Sequence, residues 1–155
     1  LSENADSIRE LLLPVADVTT PNLIEAGILS DLGDLKTVAD IEKAATIIHC
    51  FGAKTVIIKG GRRFDNQEDE ALDVFYDGHA FHYLKSPLVH TDNNHGAGCT
   101  FAAAITAGLA NGKSTLEAVT TAKAFVHAAI TNGHPFNQYL GHIWHGAYRD
   151  QGYTL

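Results

Sequence analysis

The apolar residues of this chain recur at helical spacing in some stretches and run consecutively in others, and the switches between the two define its elements. Ile8, Leu11 and Leu12 predict a helix from an N-cap at Ser2 to about Leu13, stopped by Pro14. Val15 to Thr20 reads as a short extended piece, and Leu23, Ala26 and Ile28 as a short helix entered through a turn at Pro21. Thr37 is the predicted N-cap of the next helix, whose buried face is Val38, Ile41, Ala45, Ile48 and Phe51 and whose end is Gly52. Val56, Ile57 and Ile58 then stand side by side, β-branched and bounded by glycines, as in a strand buried on both faces.

Beyond a polar loop, "RRFDNQEDE", the segments "LDVFY" and "HAFHYL" flank Asp77-Gly78, a hairpin signal. From Cys99 to Leu109 the chain is small and apolar, "CTFAAAITAGL", and Asn111-Gly112 ends it. Ser114 opens another helix, with Glu117 completing a capping box, that runs to about Thr131. The tail, "FNQYLGHIWHGAYRDQGYTL", is aromatic and His-rich without a period. Strand and helix alternate in the first half, which predicts an α/β fold with three layers, a mostly parallel sheet and the hairpin as an antiparallel edge.

Composition narrows the partners. With 155 residues and 45% hydrophobic content the chain forms one domain or the larger part of one. Lys+Arg 11 against Asp+Glu 18 gives 11 − 18 = −7, and the basic residues are scattered, so no nucleic-acid or anionic-membrane surface is expected and a small-molecule partner fits better. Cys50 and Cys99 belong to no CxxC pair, which argues against a disulfide framework or a zinc site and for reduced thiols in the cytoplasm. No stretch approaches the roughly 18 consecutive apolar residues of a membrane helix. The chain has no methionine and begins at Leu1, the expected look of a fragment or a processed product.

Short motifs carry the chemistry. In "NNHGAGCT", Asn93 to Thr100, Gly96 and Gly98 let successive N–H groups converge, and the helix that follows adds about half a positive charge, so the turn attracts an anion such as phosphate. The bland alternative is an ordinary tight turn. Cys99 at the head of a helix is either a reactive thiol or a small buried apolar residue, and His95 either assists the site or is a surface histidine. In "VIIKGG", Lys59, Gly60 and Gly61 end a strand, where a lysine neutralises phosphate charge or is simply solvated. In "TPNLIEA", Asn22 and Glu25 are three apart on a first helical turn, suited to a hydrated Mg²⁺ or, more plainly, to helix capping. His134, His142 and His145 of the tail lack a completing ligand for a metal site; packing beside a nucleotide or at a dimer interface is the alternative.

Together, "TPNLIEA", "VIIKGG", "HGAGCTFAAAITAGLANG" and "PFNQYLG" resemble the vitamin-kinase branch of the ribokinase-like superfamily: hydroxymethylpyrimidine (phosphate) kinases and Gram-positive pyridoxal kinases. The resemblance covers the whole chain, which looks like the C-terminal, nucleotide-binding portion of one ribokinase-like kinase domain, incomplete at the N-terminus. It implies ATP and Mg²⁺ as cofactors, a homodimer, and a primary hydroxymethyl on a heteroaromatic ring as acceptor. By position, Gly96, Ala97, Gly98 and Cys99 would form the anion hole for the transferring phosphoryl group. Lys59, with Gly60 and Gly61, would contact ATP phosphates, and Asn22 with Glu25 would organise Mg²⁺ through water. Sugar kinases of the superfamily carry an aspartate base where this chain has Cys99. In the similar pyridoxal kinases that cysteine adds to the substrate aldehyde as a hemithioacetal, supported by the histidine at the position of His95. Pyridoxal kinase is thus the first expectation, hydroxymethylpyrimidine/phosphomethylpyrimidine kinase the second, with both in one enzyme a further form. A non-catalytic nucleotide-binding fragment is the alternative of another class.

Overall fold

The computed structural model describes residues 4–61, 69–138 and 140–152. The N-cap expected at Ser2, residues 62–68 of the polar loop and Tyr139 of the tail lie outside them. The chain divides into two compact units, Leu1–Leu88 and Val89–Leu155.

The first unit opens with helical turns of changing pitch: α1 (Ala5–Ser7), a π-helical turn at Ile8–Leu12 and a 3₁₀ turn at Leu13–Val15 that contains Pro14. The π turn sends the Leu13 N–H to the Ile8 carbonyl, five residues back, and this shifts the inward face by one position. Leu13 is therefore buried, while Leu11 and Leu12, placed inward by helical spacing, are 69% and 59% exposed. Arg9 donates from Nε to the Leu29 carbonyl (2.9 Å) and from Nη2 to the Ile28 carbonyl, near the end of α2 (Leu23–Ser30), where helical carbonyls lack partners.

The sheet runs in the order β1 (Val18–Thr19), β2 (Thr55–Lys59), β3 (Glu70–Tyr76), β4 (Phe81–Pro87). The β1/β2 pair is parallel, joined through α2 and α3 (Val38–Cys50), and the other two pairs are antiparallel. Expected as mostly parallel, the sheet is mixed: residues 60–69 are too short a connection for a crossover. Val56, Ile58, Leu72 and Val74 pack with Leu23, Ala26, Leu29, Ile41, Ala44, Ala45 and Ile48 into one core, and Ile57 and Phe75 on the opposite face are buried too. β4 begins at Phe81 rather than at His79, because the Asp77 carboxylate accepts from the N–H groups of His79 (2.9 Å) and Ala80 (2.8 Å) and makes a four-residue loop.

In the second unit, α4 (Ala97–Ala110) packs on α5 (Thr115–Thr131), which ends where the sequence predicts. The aperiodic tail is built of short pieces: an antiparallel pair, β5 (His134–Pro135) with β6 (Gly141–His142), then α6 (Ala147–Asp150). Ala147 and Tyr148 bury against Ala128, with Phe125 at the margin. No helix among the described residues is long and apolar enough to cross a membrane.

Capping boxes start α2, α3 and α5, and their acids give the fold a pH dependence. The Thr37 hydroxyl, then the Lys36 and Thr37 N–H groups, hold Asp40 below the usual carboxylate range. Ser114 does the same to Glu117, and the Ala80 and His79 N–H groups to Asp77. Near pH 4 the unfolded chain thus binds more protons than the folded one, so this stability is present above the unfolded value of about 4 and is lost as pH falls through the lowered folded values. Burial, then the Lys123 charge, also lowers His127, which removes stability as pH falls below roughly 6.5. The urea midpoint is expected to fall in both windows, with Asp40→Asn and Glu117→Gln flattening the lower one; an unchanged acid slope in that double variant would contradict the assignment.

Candidate functional site

In the first unit the site residues gather at the C-terminal end of the parallel pair. The Lys59 N–H donates to the Pro21 carbonyl (2.9 Å), and Asn22 bridges Lys59 in parallel, so strand pairing runs on past β1 to the start of α2. Asn22 and Lys59 therefore lie side by side at the sheet edge where open α/β folds take ligands. Lys59 is half-buried, and its ammonium has no hydrogen bond or ion pair among the described residues. Asn22 is the N-cap of α2: its Oδ1 accepts from the Glu25 N–H (2.9 Å), while Glu25 Oε2 accepts from the Asn22 N–H (2.8 Å). The pair thus faces itself in a reciprocal cap, and Glu25 Oε1 has no hydrogen bond among the described residues. The Gly60 N–H is spent on the sheet, donating to the Leu72 carbonyl (2.9 Å) and to Asp73 Oδ1 (3.2 Å), so it points at no ligand. Gly61 follows, exposed.

In the second unit the motif residues form the head of α4. Gly96 is the N-cap in the left-handed region, φ 90 and ψ −8, with no side-chain cap, and there is no acid in the first turn. The Ala97 N–H donates to the Asn94 carbonyl (3.2 Å) and the Thr100 N–H to Gly96 (2.9 Å). Between them the N–H groups of Gly98 and Cys99 have no acceptor among the described residues. Two donors without acceptors at the positive end of a 14-residue helix are what an anion-binding turn requires. Cys99 is exposed, so it is not the buried apolar residue of the bland reading.

His95 is exposed; its N–H donates to the Gly141 carbonyl (3.1 Å) and its ring meets that of His142 edge-on, centroids 5.2 Å apart. Thr100 Oγ1 and His145 Nε2 are hydrogen-bonded at 2.9 Å. Sequence reasoning missed Asn93, Thr100 and this use of His142 and His145; the one available signal was the pair of glycines, Gly133 and Gly141, that bracket the tail pair. His142 lies in β6 and His145 beyond it, not on a helix, and among the described residues no three His, Cys, Asp or Glu gather as metal ligands.

Taken unit by unit, amides without acceptors and an ammonium without a partner among the described residues are each groups that suit phosphate. The chain belongs to the phosphomethylpyrimidine kinase family, whose sequence model matches residues 1–144. It is similar to the pyridoxine kinase of Bacillus subtilis, 48% identical over 147 residues that are 95% of this chain and 54% of the relative. The solved pyridoxal kinase of Staphylococcus aureus in complex with AMP-PCP and pyridoxal is 53% identical, with a TM-score of 0.91 over 95% of this chain and 54% of that one. A hydroxymethylpyrimidine/phosphomethylpyrimidine kinase of Streptomyces coelicolor is 39% identical over 94% of this chain and 52% of the relative. The chain thus spans about half the length of the curated relatives it matches. These matches bear out the resemblance read from the motifs and the ribokinase-like α/β class.

The left-handed turn is testable by itself. A Cβ on Gly96 would meet nothing within 4 Å, so the only cost of Gly96→Ala is conformational, about 1–2 kcal/mol. The urea midpoint should fall while helix content at low denaturant stays the same; equal stability would contradict this backbone.

Proposed function

We propose that this chain supplies the nucleotide- and phosphate-binding part of an ATP-dependent pyridoxal kinase. The observation that carries this reading is the pair of unpaired N–H groups, Gly98 and Cys99, at the head of α4 beside an exposed thiol. Support comes from the relatives: identity is 48% and 53% to the pyridoxine and pyridoxal kinases, against 39% to the hydroxymethylpyrimidine kinase.

Phosphoryl transfer asks for positioning and charge stabilisation rather than covalent work. The substrate hydroxymethyl oxygen attacks the γ-phosphorus, the bond from that phosphorus to the β,γ-bridging oxygen breaks, and ADP leaves. The Gly98 and Cys99 amides take up charge on the transferring group, and Lys59 offsets charge on the ATP phosphates. As the thiolate, Cys99 Sγ either accepts the hydroxyl proton or adds to the aldehyde carbon of the substrate, whose oxygen takes a proton to complete the hemithioacetal. In the second case water takes the hydroxyl proton, and His95 is assigned a supporting role. Glu25 Oε1 and the Asn22 side chain suit contact with a hydrated Mg²⁺ through water, since Oε2 is held by the cap. When bound, Mg²⁺ neutralises phosphate charge. The setting proposed is the cytoplasm, where free thiols persist, and the assembly a homodimer, which light scattering checks.

Hydroxymethylpyrimidine kinase is the second reading, favoured by the family match. It lacks the aldehyde that a hemithioacetal requires. A chimera in which this chain replaces the segment it matches in the S. aureus pyridoxal kinase separates them, by ADP release with either acceptor. Turnover with pyridoxal at the higher kcat/KM is expected; the reverse order supports the second reading, and no turnover with either removes the enzyme reading. In that chimera Lys59→Ala should weaken AMP-PCP binding by about tenfold, the loss of a charge-assisted hydrogen bond. Cys99→Ala should lower kcat by about 100-fold with little change in AMP-PCP affinity. Unaltered AMP-PCP affinity in the first variant, or equal losses of turnover and affinity in the second, would undo those roles.

A further inference from the structure

Locally the Gly96 turn is held only by backbone hydrogen bonds, from the Ala97 N–H to Asn94 and from the Thr100 N–H to Gly96. It lacks a side-chain cap, and the space where a Cβ would stand at Gly96 is open to 4 Å. An anion hole nevertheless works only if its donors are fixed before the charge develops. Constraint beyond those two bonds comes from the flanks, and in this unit the tail closes on both of them.

Before the turn, the tail joins the Asn93–His95 segment as a neighbouring strand. The His95 N–H donates to Gly141, the Ile143 N–H donates back to His95 (3.4 Å), and His95 pairs with His142 in parallel. Asn93 Nδ2 donates to the Gly133 carbonyl (3.4 Å). A Cβ on Gly141 would stand 1.8 Å from Asn93 Oδ1 and 2.7 Å from its Cα, and one on Gly133 would stand 2.5 Å from the Asn93 carbonyl oxygen. Gly133, just ahead of β5, and Gly141, the first residue of β6, are thus both set by the approach of Asn93. After the turn, His145 reaches Thr100, one residue beyond Cys99, and its ring lies 6.4 Å from that of Phe125 on α5. The tail therefore grips the chain on the two sides of Gly96 to Cys99.

We propose that Gly133 and residues 141–145 form a clamp that fixes the Gly98 and Cys99 amides for the phosphoryl group, with Asn93 and His145 as positioning residues. This rests on the phosphate-site reading above. The clamp converts contacts that look like ordinary tail packing into preorganisation of the hole. Its parts act as a unit, so cutting either end of one link loses the same thing.

The test is a double-mutant cycle on this chain with inorganic tripolyphosphate and, in parallel, AMP-PCP, followed by calorimetry. Thr100→Val and His145→Ala are each expected to weaken tripolyphosphate binding by about 2- to 10-fold, the worth of one hydrogen bond, and the double variant no further. Amide exchange supplies a ligand-free reading: His145→Ala and Asn93→Ala should speed exchange of the Thr100 N–H while the amides of α5 keep their protection. Losses that multiply in the double variant, or Thr100 exchange at the wild-type rate in both single variants, would overturn the clamp. If wild-type chain binds neither tripolyphosphate nor AMP-PCP, the phosphate-site reading falls with it, whereas intact binding with multiplying losses removes the clamp alone.

Discussion

Two peptide N–H groups without acceptors among the described residues, those of Gly98 and Cys99, are the feature on which the functional account depends. A helix always begins with donors that its own carbonyls cannot reach, and most helices satisfy some of them with a side chain. The other long helices of this chain do so: Asn22, Thr37 and Ser114 each cap their helix and draw in an acid three residues later. α4 alone among these four begins with a left-handed glycine that carries no capping atom. The contrast within one chain sets the bare head of α4 apart from the other helix starts. An anion brought there supplies the missing acceptor and meets the positive end of the helix.

In the first unit the candidate residues are brought together by different means. Pairing of β1 with β2 continues past Thr19 to Asn22 and Lys59, which carries a capped helix start and a lysine to the same strand end. The cap matters to the chemistry as well as to α2. It fixes the Glu25 carboxylate by one oxygen and leaves the other as an acceptor, and a carboxylate so tethered loses little freedom when it meets a hydrated cation. Capping and cation binding, read from the sequence as rivals, are thus compatible uses of one pair.

Features set by neighbours in sequence were legible beforehand. Thr37 as an N-cap and Ser114 with Glu117 as a capping box are local features, and consecutive β-branched residues at Val56 to Ile58 marked a buried strand. The misses have local physical causes. The π turn at Ile8–Leu12 moves burial from Leu11 and Leu12 to Leu13, a change that spacing by 3.6 cannot register. Asp77 folds its carboxylate over His79 and Ala80 and delays the second hairpin strand to Phe81. At the site, the glycines, Cys99 and Lys59 were visible because their chemistry is in the residue itself. Asn93, Thr100 and His145 were not, because what they do depends on partners about 40 residues away.

The most direct measurement is an ¹⁵N NMR titration of this chain with AMP-PCP, reading the backbone amides of residues 96–100. Binding at the head of α4 predicts downfield, saturable shifts of the Gly98 and Cys99 amide protons, larger than those of Ala97 and Thr100, whose N–H groups already have acceptors. Saturable binding seen elsewhere in the spectrum, with Gly98 and Cys99 unmoved, would contradict the account.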